Sequence, residues 1–290
     1  MSFVVGIGGI FILFMDFIFW YITVSIFIIG MVIGSFLNCV IWRCYCGESA
    51  AKGRSYCPKC RHPLAWYDLV PVASFVFLKG KCRYCSESIS WQYPVVELAM
   101  AFVFWAAAAA FTPQILTGYI TFLLLAKLIA YWIFLASLTV VLVVDLRWYF
   151  IPDGAIISGL AAAGVYNFLN AGGGYPWRFF DAGAVWAAIL SAILAASIFL
   201  VIFLVSRGKW IGFGDVKFAV LMGLACGFPG ILIAMFFANF FGAILGLALV
   251  ASGKKKMSSQ VPFGPFLVAG TVIAIFFSYH IFNWYISLTF

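Results

Sequence analysis

The sequence predicts an all-α polytopic membrane protein with about eight transmembrane helices and one small cytoplasmic loop domain. Of its 290 residues, 66% are hydrophobic and only 9% are charged, whereas a soluble domain has roughly 25% charged residues. The mean hydropathy of +1.13 agrees with this class. The apolar residues also occur in runs of the length that crosses a bilayer, which is about 20 residues.

The predicted spans follow from these runs. They are residues 18–42, 95–111, 119–144, 154–170, 182–206, 216–228, 230–251 and 262–288. The short run 216–228 ends at Pro229-Gly230 and needs shelter from neighbouring helices, because lipid cannot satisfy irregular backbone. No Lys or Arg precedes Arg43, so we expect no cleavable signal peptide.

The basic residues orient these spans. With residues 43–93 in the cytoplasm and alternating spans, 15 of the 17 Lys and Arg residues fall on the cytoplasmic side, as the positive-inside rule requires. Arg178 falls outside and Lys127 lies within a span, while Lys254–Lys256 fall inside only if the short run is counted. The charge of +8 thus reflects topology and attraction to anionic lipid, and nucleic-acid binding is not needed to explain it.

The one long polar segment, residues 46–94, contains two CxxC pairs. Cys57 and Cys60 form the first pair, and Cys82 and Cys85 form the second, with 21 residues between them. The usual zinc-ribbon separation is about 15–20 residues. Two such turns present four thiolates to one tetrahedral Zn²⁺, which makes a closed structural site.

Two other interpretations of these cysteines stay open, namely disulfides and redox-active CxxC pairs. A cytoplasmic loop disfavours stable disulfides, so zinc is the preferred interpretation, and His62 is a substitute ligand that four cysteines make unnecessary. A loop with its own metal site needs a core. We expect that core from apolar loop residues: Leu64, Trp66, Leu69, Val70, Val72, Phe75 and Phe77.

Three aspartates lie at cytoplasmic ends of the predicted spans. Asp145 follows an unbroken apolar run, which delivers it to the interface; the alternative is an interfacial charge paired with Arg147. Asp153 follows Pro152 and is typical of a helix start. Asp215 follows Gly212 and Gly214, which open room beside it for a substrate backbone; the alternative is a helix cap.

Asp145 and Asp215 together suggest a chemistry. Two carboxylates on one face can share a proton, so that one acts as general base and the other as general acid. Such a pair can activate water against a peptide carbonyl at the membrane surface. The 70 residues between them leave their proximity as an assumption.

Six stretches, in this order, resemble the type IV prepilin leader peptidases, which are GxGD-type aspartyl proteases. They are "GSFLNCVIWR" (34–43), the double CxxC, "YPVVELA" (93–99), "VVDLRWYFIPD" (143–153), "GFGDVK" (212–217) and "PFGPFL" (262–267). Each stretch alone is weak, but six in sequence are specific. The resemblance covers essentially the whole chain.

The resemblance implies a bifunctional enzyme of the bacterial inner membrane. Such enzymes cleave the leader of type IV prepilins or type II secretion pseudopilins after a glycine, on the cytoplasmic side, and then N-methylate the new terminus with S-adenosylmethionine. By position, Asp145 and Asp215 match the catalytic pair. The four CxxC cysteines match a cysteine loop linked to methyl transfer, and Gly80 and Glu97 lie in that half.

The implied organisation has three parts. Residues 1–42 form an N-terminal apolar segment and first span, 43–94 the zinc loop domain associated with methyl transfer, and 95–290 the transmembrane protease domain. Two alternatives remain: a peptidase alone with the zinc loop as a docking module, and an ion-coupled transporter with a structural zinc loop. The net basic charge of residues 43–93 disfavours docking of a basic leader.

Overall fold

Most of the described backbone is helical, because a helix satisfies its own peptide groups where lipid offers no partner. The computed structural model describes residues 2–49, 53–116, 122–170, 184–253 and 261–289. The predicted all-α membrane class is confirmed. Lys52, Arg178 and Lys254–Lys256, which contribute to the predicted topology, lie outside the described residues.

The helices divide between two compact units, Met1–Ile120 and Thr121–Phe290. In the described residues, the first unit contains α1 (Ser2–Cys46), a 3-10 turn (Trp66–Leu69), α2 (Ala73–Phe77) and α3 (Gln92–Leu116). The second unit contains α4 (Phe122–Trp148), α5 (Asp153–Leu169), α6 (Ala184–Ser206), α7 (Phe213–Ala251) and α8 (Gly264–Thr289).

Six helices of the described chain are long and apolar enough to cross a bilayer, namely α1, α3, α4, α6, α7 and α8. The sequence predicts eight spans, and the difference lies in two places. The fourth predicted span is α5, a shorter apolar helix of 17 residues. The sixth and seventh predicted spans are two parts of α7.

Helix α7 is broken near its middle. Its 39 residues would extend about 58 Å as one straight helix, against about 30 Å of hydrocarbon. Gly227 and Phe228 leave the helical conformation just before Pro229. The side-chain amide of Asn167, in α5, donates a hydrogen bond to the Leu224 carbonyl at 2.8 Å. A carbonyl beside the break therefore has a partner.

In the first unit, α1 and α3 pack with their backbones in close contact. Gly30 and Gly34 lie one turn apart on α1, and a Cβ atom on either would come within 2.7 Å of the α3 backbone, at Ala101 and Glu97 respectively. Small residues four apart permit this approach between transmembrane helices. The amide of Asn38 also donates to the Tyr93 carbonyl at 3.1 Å, which fixes the register of the two helices.

Arg43, in the last turn of α1, organises the beginning of the loop. Its buried guanidinium donates to the carbonyls of Ser49, Gly53 and Arg54 at 3.0–3.2 Å. The sequence identifies this residue as a topology signal and as the last residue of the stretch 34–43. The structure adds a clamp that ties the loop to the end of the helix.

The prediction of an apolar core in the loop is wrong for four of the seven residues named. Trp66, Leu69, Val70 and Phe77 are exposed, and neither the 3-10 turn nor α2 contains a buried residue. Leu64, Val72 and Phe75 are half-buried. In a soluble loop, apolar side chains would collapse together, but a loop next to a bilayer has lipid as an alternative environment.

Candidate active site and metal centre

Asp145 lies near the cytoplasmic end of α4 and is buried, with 5% of its surface exposed. Its Oδ2 accepts a hydrogen bond from the backbone N–H of Gly264 at 2.8 Å. Gly264 begins α8, so the carboxylate caps the positive end of that helix. Arg147, the alternative partner considered from the sequence, is exposed and lies over the Trp148 ring.

Asp215 lies in the first turn of α7 and is also buried, with 8% of its surface exposed. Its Oδ2 accepts a hydrogen bond from the N–H of Gly212 at 3.0 Å, so Asp215 does cap its own helix. A Cβ atom on Gly214 would lie 3.1 Å from the Ile151 side chain. This glycine therefore lets the loop before α5 approach the start of α7.

The helices that carry the two carboxylates share two neighbours. Both α4 and α7 pack against α5 and α8, and Gly214, the residue before Asp215, lies against Ile151, six residues after Asp145. Each carboxylate uses Oδ2 for a backbone N–H. In the described part of the chain, the Oδ1 atoms of Asp145 and Asp215 accept no hydrogen bond, which leaves one oxygen of each for a water or a peptide group.

Asp153 has a different environment. It begins α5 after Pro152, as the sequence predicts for a helix-start residue. Its exposed carboxylate accepts a hydrogen bond from Lys217 at 2.6 Å, and the two form an ion pair. The three aspartates thus separate into a buried pair and an exposed surface charge.

The two CxxC segments fold into matching knuckles. In the first, the Cys57 N–H donates to the His62 carbonyl at 3.0 Å and the Cys57 carbonyl accepts from Arg61 N–H at 2.9 Å. In the second, Cys82 makes the equivalent bonds with Glu87 and Ser86. Arg61 and Ser86 have positive φ angles of 60° and 57°, so the chain reverses at the same point in both.

The four sulfur atoms of the knuckles fit a zinc ion. All lie within 4.8 Å of one another, and those of Cys57 and Cys85 are 3.9 Å apart. Tetrahedral zinc with Zn–S distances of about 2.3 Å separates its sulfurs by about 3.8 Å. His62, the substitute ligand considered from the sequence, is not a member of this cluster, which consists of the four cysteines. Its ring instead stacks on that of Tyr84, with 3.7 Å between the centroids.

Two thiols of the cluster, Cys82 and Cys85, differ in acidity. Burial raises the pKa of the Cys82 thiol, but hydrogen bonds from the N–H groups of Tyr84 and Cys85 outweigh burial and lower the pKa to about 7. A bond from the Glu87 N–H lowers the pKa of Cys85, but desolvation and its bonds with the other thiols raise it to about 12. Cys82 is therefore the more acidic of these two thiols.

Gly80 and Glu97 meet at α2. Gly80 has a φ of +67°, and a Cβ atom there would lie 3.2 Å from the Phe75 ring of α2. The Oε2 atom of Glu97, buried in α3, accepts a hydrogen bond from the Val72 N–H at 2.7 Å, immediately before α2. Of the two residues chosen from the resemblance, Glu97 therefore contacts the residue before this short helix and Gly80 contacts its middle residue.

The sequence missed Gly264 and Arg43 as contributors to these sites. Gly264 is in "PFGPFL", which marks the start of a span, but nothing local connects it with an aspartate 119 residues earlier. Arg43 is the first basic residue after a long apolar run. That position is a topology signal in any membrane protein, so the sequence does not reveal the clamp.

Comparison with known proteins places the chain in a family. Models of the bacterial peptidase A24 N-terminal domain and of the type IV leader peptidase family match residues 28–111 and 132–247. A prepilin leader peptidase/N-methyltransferase of Bacillus subtilis (strain 168) is 30% identical over 266 residues, which cover 91% of this chain and 97% of the relative. The chain belongs to the type IV leader peptidase family.

Other members of the family that resemble this chain have the same description. A prepilin leader peptidase/N-methyltransferase of Aeromonas salmonicida (strain A449) is 29% identical, over 92% of this chain and 95% of the relative. One of Burkholderia pseudomallei (strain 1026b) is 30% identical, over 86% and 84%. No solved structure matches this type IV leader peptidase family member. The N-terminal family model covers the cysteine cluster, and the peptidase model covers Asp145 and Asp215.

Proposed function

We propose that this chain is a bifunctional prepilin peptidase and N-methyltransferase. It removes the leader of a type IV prepilin or type II secretion pseudopilin after a glycine, and then methylates the new amino terminus. The names of the relatives, each covered over most of its length, support both activities. The observation that carries the peptidase assignment is the burial of both Asp145 and Asp215 at the ends of helices that share α5 and α8 as neighbours.

In this mechanism the two aspartates share the acid and base roles. One carboxylate removes a proton from a water molecule while the resulting hydroxide adds to the scissile carbonyl carbon. The other, protonated carboxyl then donates its proton to the amide nitrogen as the C–N bond breaks. The hydrogen bonds from Gly264 and Gly212 keep one oxygen of each carboxylate in place, which orients the other oxygen towards the reaction.

The methyl-transfer half is assigned to residues 43–94, and the protease to residues 95–290. Zinc held by Cys57, Cys60, Cys82 and Cys85 would join the two knuckles as a closed site, with no open position for a reacting group. S-adenosylmethionine would supply an electrophilic methyl group to the new amine. We assign Gly80 and Glu97 to this half through their contacts with α2.

The expected location is the bacterial inner membrane, with the aspartates facing the cytoplasm. The distribution of the basic residues supports this orientation, because positive charge is retained on the cytoplasmic side. The substrate leader and the two aspartates of the enzyme, Asp145 and Asp215, then lie on the same, cytoplasmic side of the membrane. Prepilin is the expected protein partner.

The mass of a model prepilin, after incubation with the purified protein and S-adenosylmethionine, tests the proposal. We expect loss of the leader and addition of one methyl group. Asp145→Asn and Asp215→Asn should each abolish cleavage, whereas Asp153→Asn is the matched control and should retain it, because Asp153 is exposed and paired with Lys217. Cleavage without methylation would reduce the function to peptidase alone. Full cleavage by either buried-site variant would refute the aspartate pair.

A further inference from the structure

Helix α2 presents apolar side chains that no described part of the chain covers. Val76 and Phe77, at its C-terminal end, are 64% and 84% exposed. Trp91, which lies one residue before α3, is 73% exposed, and its ring contacts that of Phe75 in α2 at 5.0 Å between centroids. These three exposed side chains, Val76, Phe77 and Trp91, form what we call the α2 patch.

The hydrogen bond between Glu97 and Val72 sets the depth at which α2, the helix that carries Val76 and Phe77, begins. Glu97 is the sixth residue of α3, about 7 Å along the axis from the first residue at 1.5 Å per residue. Side chains lean towards the N-terminus of their helix, so Val72 lies level with the first two turns of α3. Those turns belong to an apolar span that begins at Gln92. Helix α2 therefore starts beside the membrane helix, not above it.

Helix α1 gives the same depth independently. Its Gly34 lies against the backbone of Glu97, and its apolar run continues to Arg43, the first basic residue. Arg43 is nine positions after Gly34, which corresponds to about 13 Å of helix. Val72, which is bonded to Glu97, thus lies on the membrane side of Arg43. An interfacial layer is only about 5–7 Å thick on each side of the hydrocarbon.

The chemistry of the patch matches a bilayer interface. Aromatic side chains with a polar end, such as Trp91, concentrate at the headgroup level of membranes. The exposed Lys79 and Lys81 follow α2 closely in sequence, and basic residues beside an apolar surface are typical of segments that lie in the plane of an anionic membrane. A water-exposed Phe77 at this depth would instead require a water-filled gap beside the span.

We propose that the α2 patch is an interfacial anchor that inserts into the headgroup and acyl boundary of the phospholipid bilayer. It seats the cysteine loop on the membrane surface. Because Gly80 contacts Phe75 and begins the turn into the second knuckle, the anchor is connected to the metal centre by a few residues. This assignment concerns lipid contact and does not depend on either proposed activity.

Photocrosslinking of the full chain in phospholipid nanodiscs tests the anchor. A benzophenone amino acid replaces Phe77 in one variant and Val76 in a second, and the control variant carries it at Lys59, an exposed side chain on the first knuckle. Both patch positions are exposed, so the probe displaces no packed neighbour. Mass spectrometry after irradiation identifies the attached molecule, and zinc content checks that each variant is folded.

We expect phospholipid adducts at positions 77 and 76, at least tenfold more abundant than at position 59. Equal lipid labelling at all three positions would overturn the anchor, since it would reflect unspecific contact. A crosslink from position 77 to another segment of this chain would overturn it too, because protein would then cover the patch. So would an absence of any lipid adduct at position 77 in a folded sample.

Discussion

The Asp145 carboxylate and the Gly264 backbone N–H, 119 residues apart, are joined by a hydrogen bond of 2.8 Å. The bond connects the end of α4 with the beginning of α8. A Cβ atom at position 264 would lie only 2.6 Å from Asp145 Oδ2. The Asp145 carboxylate can therefore occupy this position only because residue 264 has no side chain.

Gly264→Ala should lower the rate of leader cleavage by roughly 10- to 100-fold. The added methyl group displaces the carboxylate and removes a hydrogen bond to a charged group, worth about 1.5–3 kcal/mol. Gly164→Ala is the matched control, because a Cβ atom there meets nothing within 4 Å. Single-turnover cleavage of a model prepilin measures both variants. An unchanged rate in Gly264→Ala would mean that the bond does not position Asp145.

Gly80→Ala should weaken zinc retention and methyl transfer while leaving leader cleavage unchanged. Its positive φ costs a residue with a Cβ atom about 1–2 kcal/mol, and the new methyl group also presses on the Phe75 ring. Gly47→Ala separates the two effects, since Gly47 has a φ of +70° but no neighbour within 4 Å. Zinc content and methyl incorporation are the measurements. Equal losses in both variants would exclude a role for the Phe75 contact.

Glu97→Leu should release α2 from α3, whereas Glu97→Gln should largely retain the contact. The glutamine side chain keeps an oxygen that can accept the Val72 N–H, and leucine leaves that part-buried donor without its carboxylate. An unsatisfied donor costs about 1–3 kcal/mol. Hydrogen–deuterium exchange of residues 72–77 should be roughly tenfold faster in the leucine variant. Identical exchange in the two variants would show that another contact holds α2.

Asn167→Leu should lower the thermal stability of the protein, because it removes the donor to the Leu224 carbonyl beside the break in α7. A part-buried carbonyl that loses its partner costs up to about 1–3 kcal/mol. Asn239→Leu is the comparison, since Asn239 is exposed and, among the described residues, its side chain donates to the Met235 carbonyl of its own helix. Its effect should be within about 0.5 kcal/mol. Equal melting temperatures for both variants would contradict this account of the break.

The sequence predicts well what depends on local composition. The apolar runs define the helices, the break in α7 falls within two residues of the predicted Pro229-Gly230 boundary, and the CxxC spacing indicates the cysteine cluster. Each of these follows from residues within one element. The family resemblance, carried by six short stretches, is likewise confirmed by the comparisons.

Contacts between distant segments were beyond the sequence. Neither the bond of Asp145 with Gly264 nor that of Glu97 with Val72 leaves a local pattern, because each partner contributes a backbone N–H that any residue except proline has. The expected loop core was wrong for a different reason. Apolar residues such as Trp66 and Phe77 indicate burial, but they do not say whether protein or lipid covers them.

Helix α1 is continuous from its first described residue to Cys46, and its last turn holds the Arg43 clamp. A membrane helix answers a change in bilayer thickness by tilting. Because one unbroken helix both crosses the membrane and carries the clamped loop, such a tilt turns the attachment point of the loop by the same angle. We therefore expect the lipid chain length of the host membrane to influence the orientation of the cysteine centre.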